Sequence, residues 1–114
     1  MALTLTSRQS GEVTVIELSG RLDLGPNSAV LHELLHDVTA GGARKILLNL
    51  RELSFIDSSG LGELTSGHVR ARQKGSALKV ACLPKRVKEL FQMTGLHTIL
   101  DVYEDEPEAI GSWS

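Results

Sequence analysis

The 114 residues carry 12 basic and 14 acidic side chains, a net charge of −2, which speaks against an electrostatic nucleic-acid binder with its clustered basic excess. At this length one domain, 1–114, is expected. Hydrophobic residues at 41% and charged residues at 23% exclude a disordered chain, and aromatics at only 4% predict a core of Leu, Val, Ile and Ala.

Leu3 to Thr6 and Val13 to Leu18 alternate in the manner of strands, and Gly11-Glu12 between them suggests a hairpin. Gly25-Pro26-Asn27-Ser28 is loop and capping chemistry, and the spacing predicts a helix from about Asn27 to Thr39. Its apolar stripe is Val30, Leu31, Leu34, Leu35 and Val38, and Gly41-Gly42 stops it. Lys45 to Leu50 is a nearly continuous apolar run, the pattern of a strand covered on both faces. A second helix is expected from about Ser59 to Lys74, with Leu61, Leu64, Thr65, His68 and Val69 turned inward. Leu78 to Leu83 reads as a strand that holds Cys82 as a buried thiol. Pro84 opens a third helix carrying Val87, Leu90, Phe91 and Met93, closed by Thr94-Gly95-Leu96. Ile99 to Val102 reads as a last short strand, followed by an acidic stretch and a short terminal helix or loose tail ending at Trp113. Alternating βα units after an N-terminal hairpin imply an α/β fold, a mixed sheet with helices packed on it.

No apolar run approaches the ~20 residues that span a bilayer, and the first residues lack the pattern of a secretory leader. A lone Cys82 cannot close an internal disulfide. Together these point to the cytoplasm.

Two motifs invite a chemical reading. His32-Glu33-Leu34-Leu35-His36 matches the H-E-x-x-H spacing of zinc hydrolases, in which the histidines hold the metal and the Glu is the base. On a helix, however, His32 and His36 lie roughly 100–160° from the centre of the apolar stripe, which predicts a solvated flank. Asp57-Ser58-Ser59-Gly60-Leu61-Gly62 follows a strand-like segment and opens a helix, yet fits neither a phosphate-binding loop nor a nucleophile elbow. Gly60, Gly62 and Gly67 lie in or near that helix, each costing roughly 1 kcal/mol against Ala. Two explanations stand: tight packing of the helix on a strand, or a bare surface approached closely by another molecule around serines at a helix N-terminus.

The segment Leu53-Ser54-Phe55-Ile56-Asp57-Ser58-Ser59-Gly60-Leu61-Gly62 resembles the signature of the STAS domain family, and within it of bacterial anti-sigma factor antagonists. Gly20-Arg21-Leu22-Asp23 matches that family's G-x-L-D, Leu47 to Leu50 its third strand, and Phe91 to Leu96 its late helix end. The likeness covers about residues 3 to 110 without insertion. It implies the STAS fold, a mixed sheet of four or five strands with three or four helices packed on it. It also implies a partner-switching protein rather than an enzyme, with no cofactor and no metal. The implied partner is an anti-sigma factor that is also a serine kinase, and binding it releases a sigma factor. The residue phosphorylated by that kinase would be Ser58, with a phosphoserine phosphatase reversing the step. Asp23, Asp57, Ser59, Gly60, Leu61 and Gly62 would line the partner surface, the two aspartates repelling a phosphate with no Arg to offset them. A subunit of a stressosome or lipid-transport complex is the alternative among binding proteins. A zinc hydrolase through His32, Glu33 and His36 is the alternative from another class.

Overall fold

Strand β1 (Leu3–Ser10) turns at Gly11 and returns as β2 (Val13–Leu22), the two antiparallel with Ser10 opposite Val13 and Leu3 opposite Gly20. Then come α1 (Pro26–Ala40), β3 (Lys45–Ile56), α2 (Ser58–Gln73), β4 (Ala77–Ala81) and α3 (Lys85–Thr94). A single 3-10 turn (Leu96–Thr98), β5 (Asp101–Tyr103) and α4 (Glu106–Gly111) complete the chain. This computed structural model describes residues 2–113. The five strands lie in chain order, with β2 to β5 mutually parallel. Three crossovers running the same way along the sheet place α1, α2 and α3 on one face.

Beneath those helices lies the main core. Ile16, Leu18 and Leu22 of β2, and Ile46, Leu48 and Leu50 of β3, meet Leu31 and Leu35 of α1, Leu64 of α2, and Val87 and Phe91 of α3. The opposite face is covered in part by α4, where Val13, Val15, Leu47, Ala81 and Cys82 pack with Ala109, Ile110 and Trp113. The rest of that face is polar. Arg8 of β1 donates to Glu17 at 2.9 Å and clamps Glu106 of α4 at 2.6 Å, while Asn49 donates to Glu106 at 2.6 Å. Burial pushes the Glu106 carboxyl up, but the hydrogen bonds from Arg8 and Asn49 outweigh it and hold the group below the usual carboxylate range. Lys79 is buried and spends its ammonium on Ser112 Oγ and on the ring of Trp113, 4.4 Å from the centroid.

The order of elements is the one predicted, but four details differ. β3 runs six residues past the apolar run, to Ile56. Opposite Glu17 to Ser19, two steps along the chain, β3 spends three, Asn49 to Glu52; opposite Gly20 to Arg21 it spends two residues for one. Extra residues of this kind are bulges, and they give the buried residues Leu50, Leu53 and Ile56 a spacing of three that no alternation test detects. Val30, Val69 and Met93, expected inside, are 45%, 45% and 81% exposed. The buried face of α2 is Gly60, Leu64, Gly67 and Ala71, so Val69 lies about 170° from its centre at 100° per residue. Cys82 is buried but stands one residue past β4, with φ +62, and accepts a contact from Arg51 Nη2 at 3.4 Å. Ile99 belongs to no strand, because the 3-10 turn continues through hydrogen bonds from Ile99 and Leu100 to the Leu96 carbonyl.

Candidate functional site

The parallel pairing of β2 and β3, with Leu22 opposite Ile56, brings the loops that follow them side by side at the carboxyl ends of the strands. Open α/β sheets present their functional groups at this edge. Asp57 stitches the two loops together. Its backbone N–H donates to Leu22 O at 3.4 Å, its Oδ1 accepts from the Gly60 N–H at 2.9 Å, and its Oδ2 accepts from the Leu24 N–H at 3.2 Å. It is therefore the N-cap of α2, and Ser58 rather than Ser59 is the first helical residue. An N-cap carboxylate satisfies one of the free N–H groups at a helix start and complements the positive end of the dipole.

Ser58 is exposed and Ser59 half-buried, and neither hydroxyl holds a hydrogen bond among the described residues. Asp23 lies on the neighbouring loop. Its Oδ1 accepts from Asn27 Nδ2 at 2.8 Å and its Oδ2 from Arg21 Nε at 3.1 Å. The Asn27 hydrogen bond foremost, then Arg21, hold the Asp23 carboxyl below its ordinary range. The Arg21 guanidinium also stacks on the Phe55 ring, 4.0 Å from its centroid. The expectation that no Arg offsets the aspartates is thus corrected, since Arg21 pairs with Asp23. The two residues stand only two positions apart in the Gly20 to Asp23 segment, so the signal for this pair was local.

The three glycines of α2 divide between the two explanations offered for them. A Cβ on Gly60 would stand 2.3 Å from Leu22 O and 2.8 Å from Ile56 Cγ1, and one on Gly67 would stand 2.7 Å from Leu35 Cδ1. Those two are packing glycines, and Gly60 is buried, so it shapes the surface without being part of it. A Cβ on Gly62 would meet nothing within 4 Å. Gly62 is an exposed, bare position one turn beyond Ser58, with Leu61 half-buried beside it.

The other motif does not assemble. His32, Glu33 and His36 are exposed on α1, and His32 Nδ1 lies 3.3 Å from Glu63 Oε1 of α2, which Arg70 also engages at 2.9 Å. Among the described residues, no three His, Cys, Asp or Glu side chains gather in a geometry that could hold a metal. Nor is any helix among them long and apolar enough to cross a membrane.

A five-stranded mixed sheet with three helices on one face and a capped serine turn at the carboxyl edge of its parallel strands defines a class of small α/β domains. The STAS domain family model matches residues 4–109, and the chain belongs to that family. The anti-sigma F factor antagonist of Paenibacillus polymyxa is 30% identical over 110 residues, spanning 96% of this chain and 94% of that protein. The Bacillus cell fate determinant SpoIIAA, in its phosphorylated form, superimposes with a TM-score of 0.71 at 25% identity, over 99% of this chain and all of its own (100%). An anti-sigma factor antagonist from Mycobacterium paratuberculosis superimposes with a TM-score of 0.84 at 19% identity, over 97% of this chain and 93% of its own, a likeness of fold.

Proposed function

We propose that this chain is an anti-sigma factor antagonist, a cytoplasmic binding module rather than an enzyme, switched at Ser58. Unphosphorylated, its surface of Asp23, Asp57, Ser58, Ser59, Leu61 and Gly62, shaped from beneath by Gly60, binds an anti-sigma factor with serine kinase activity and so frees a sigma factor. Phosphorylation of Ser58 by that kinase ends the binding, and a phosphoserine phosphatase restores it. The observation that carries this reading is the exposed Ser58 at the first position of α2, its hydroxyl uncommitted, with bare Gly62 one turn on.

Two effects oppose each other on phosphorylation. The added group brings about −1.5 to −2 charges at pH 7. A helix N-terminus tolerates such a charge, so the free protein keeps its fold. Beneath a partner the same charge is costly, several kcal/mol unless it is paired. Asp57 already occupies the Gly60 N–H and adds repulsion, and Arg21 is engaged by Asp23. At roughly 1.4 kcal/mol per tenfold, the phosphorylated form should bind at least about 100-fold more weakly. Titration of the kinase with unmodified protein, phosphoprotein, Ser58→Ala and Ser58→Asp tests this, with mass spectrometry locating the phosphate. Ser58→Ala should bind and resist phosphorylation, and Ser58→Asp should bind weakly. Equal affinity for both forms, or phosphate on Ser59 alone, would sink the assignment.

A further inference from the structure

Next to the switch lies an apolar patch that the core does not use. Leu24 is 76% exposed, although its backbone is fixed: its N–H is held by Asp57, and the preceding Asp23 is held by Asn27 and Arg21. Gly25 follows with φ +97 as the N-cap of α1, a backbone turn that aims the chain into the helix and leaves Leu24 at the rim. Pro26, Ala29 and Val30 are exposed at helical spacings of three and four, so they share one face of the first turns of α1. From Leu24 to Leu31 there is no charged side chain. Leu31 and Leu35 fill the core position of this helix without help from Val30. An uncharged, rigidly held apolar rim is what an interface anchor requires, because little motion is lost when it is covered.

We propose that Leu24, with Pro26, Ala29 and Val30, is the apolar anchor of the docking surface, seated in an apolar pocket of the anti-sigma factor while Ser58 is covered. The inference rests on the switch reading above and names the part of the surface that supplies affinity and partner choice. Continuity supports it: one carboxylate, Asp57, holds both the Leu24 amide and the start of the Ser58 helix, so a molecule seated on Leu24 also covers the switch. A second copy is a poorer occupant. A two-fold contact through this patch would bring two copies of the Asp57 carboxylate to one seam, while Arg21, the cation of this loop, is already engaged by Asp23.

The test uses the anti-sigma factors with serine kinase domains encoded in the source genome, each purified and titrated with the full chain. The one whose binding is weakened by Ser58 phosphorylation is the probe. Leu24→Gln should weaken binding to it tenfold or more, Val30→Gln should weaken it less, and Leu24→Met should bind within a few-fold of the parent. Both positions are exposed, so all three variants should melt as the parent does. Parental affinity for Leu24→Gln, with the phosphate effect intact, would overturn the anchor and leave the switch standing. If no kinase binds in a Ser58-dependent way, the switch reading falls and the anchor with it. Sedimentation that shows a dimer of the parent, dissolved by Leu24→Gln, would assign the patch to a second copy and overturn the proposal.

Discussion

Replacing Gly60 and Gly62 by alanine, one at a time, separates packing from surface within a single helix turn. The two substitutions add the same methyl group and the same gain in helix propensity, about 1 kcal/mol. At Gly62 nothing opposes that gain, because the added Cβ meets no atom within 4 Å. Gly62→Ala should therefore be stabilised by about 0.5–1 kcal/mol. At Gly60 the Cβ would lie 2.3 Å from a backbone oxygen of β2 and 2.8 Å from a buried Ile56 carbon, so α2 must lift from the sheet by about 1 Å to clear them. That lift also stretches the bond from the Asp57 N–H to Leu22 O, already 3.4 Å. Overpacking of this severity costs about 3–4 kcal/mol against backbone, and the propensity gain leaves roughly 2–3 kcal/mol of net destabilisation. For a domain of this size that is a fall in melting temperature of about 6–15 °C, against a small rise for Gly62→Ala. Urea unfolding followed by the fluorescence of the single Trp113 and by far-UV circular dichroism reads both. A Gly60→Ala protein as stable as the parent would show that α2 does not press on β2 as described.

Glu106 ties α4 to the sheet through Arg8 and Asn49, with its carboxyl pKa held below the ordinary value. The stability it contributes should be present above the unfolded carboxylate pKa, near 4.5, and be lost as pH falls through its folded value. Glu106→Gln should thus be about 1 kcal/mol less stable than the parent at pH 7, with the gap closing in acid; an equal gap at both pH values would refute the charge-based account. Asp57→Asn should keep the cap on Gly60, since Asn caps as well as Asp, yet leave the Leu24 N–H facing an amide NH2 group. Hydrogen exchange at Leu24 should accelerate while that at Gly60 stays protected, and unchanged exchange at Leu24 would show that the carboxylate does not hold the loop.

How much of this was legible in the sequence depended on side-chain size and on pairing. The order of elements along the chain and the three crossing helices followed from the apolar runs and the caps, because those signals are local. α2 was placed correctly along the chain and wrongly about its axis. Its buried face is made of Gly60, Gly67 and Ala71 with a single large residue, Leu64, so a search for bulky apolar positions found Leu64 and the half-buried Leu61 but passed over the small residues and added the exposed Val69. The end of β3 was missed because its two bulges break the period that defines a strand on paper. Ser58 and Asp57 were legible as a capping cluster, and the resemblance gave them roles. Leu24 was not legible as a site residue. Nothing in its own segment shows that Asp57, 33 residues on from Leu24, closes over that loop.

The D-S-S-G-L-G segment divides its labour so that the proposed switch at Ser58 would sit on a structural turn without being part of what holds it. Asp57 takes the capping role with one oxygen and the loop tie with the other, so the helix start needs nothing from the serine beside it. Gly60 lets α2 close on β2, so the first turn is anchored from below. Ser58, first in the helix and facing water, is left with no structural duty. A charge added there changes what the surface can receive without removing any interaction that holds the turn. Had Ser58 itself been the cap, its hydroxyl would accept from the N–H that Asp57 now serves, and phosphorylation would disturb α2 at the moment of switching. Placing the cap one residue earlier separates the stability of the domain from the state of its surface.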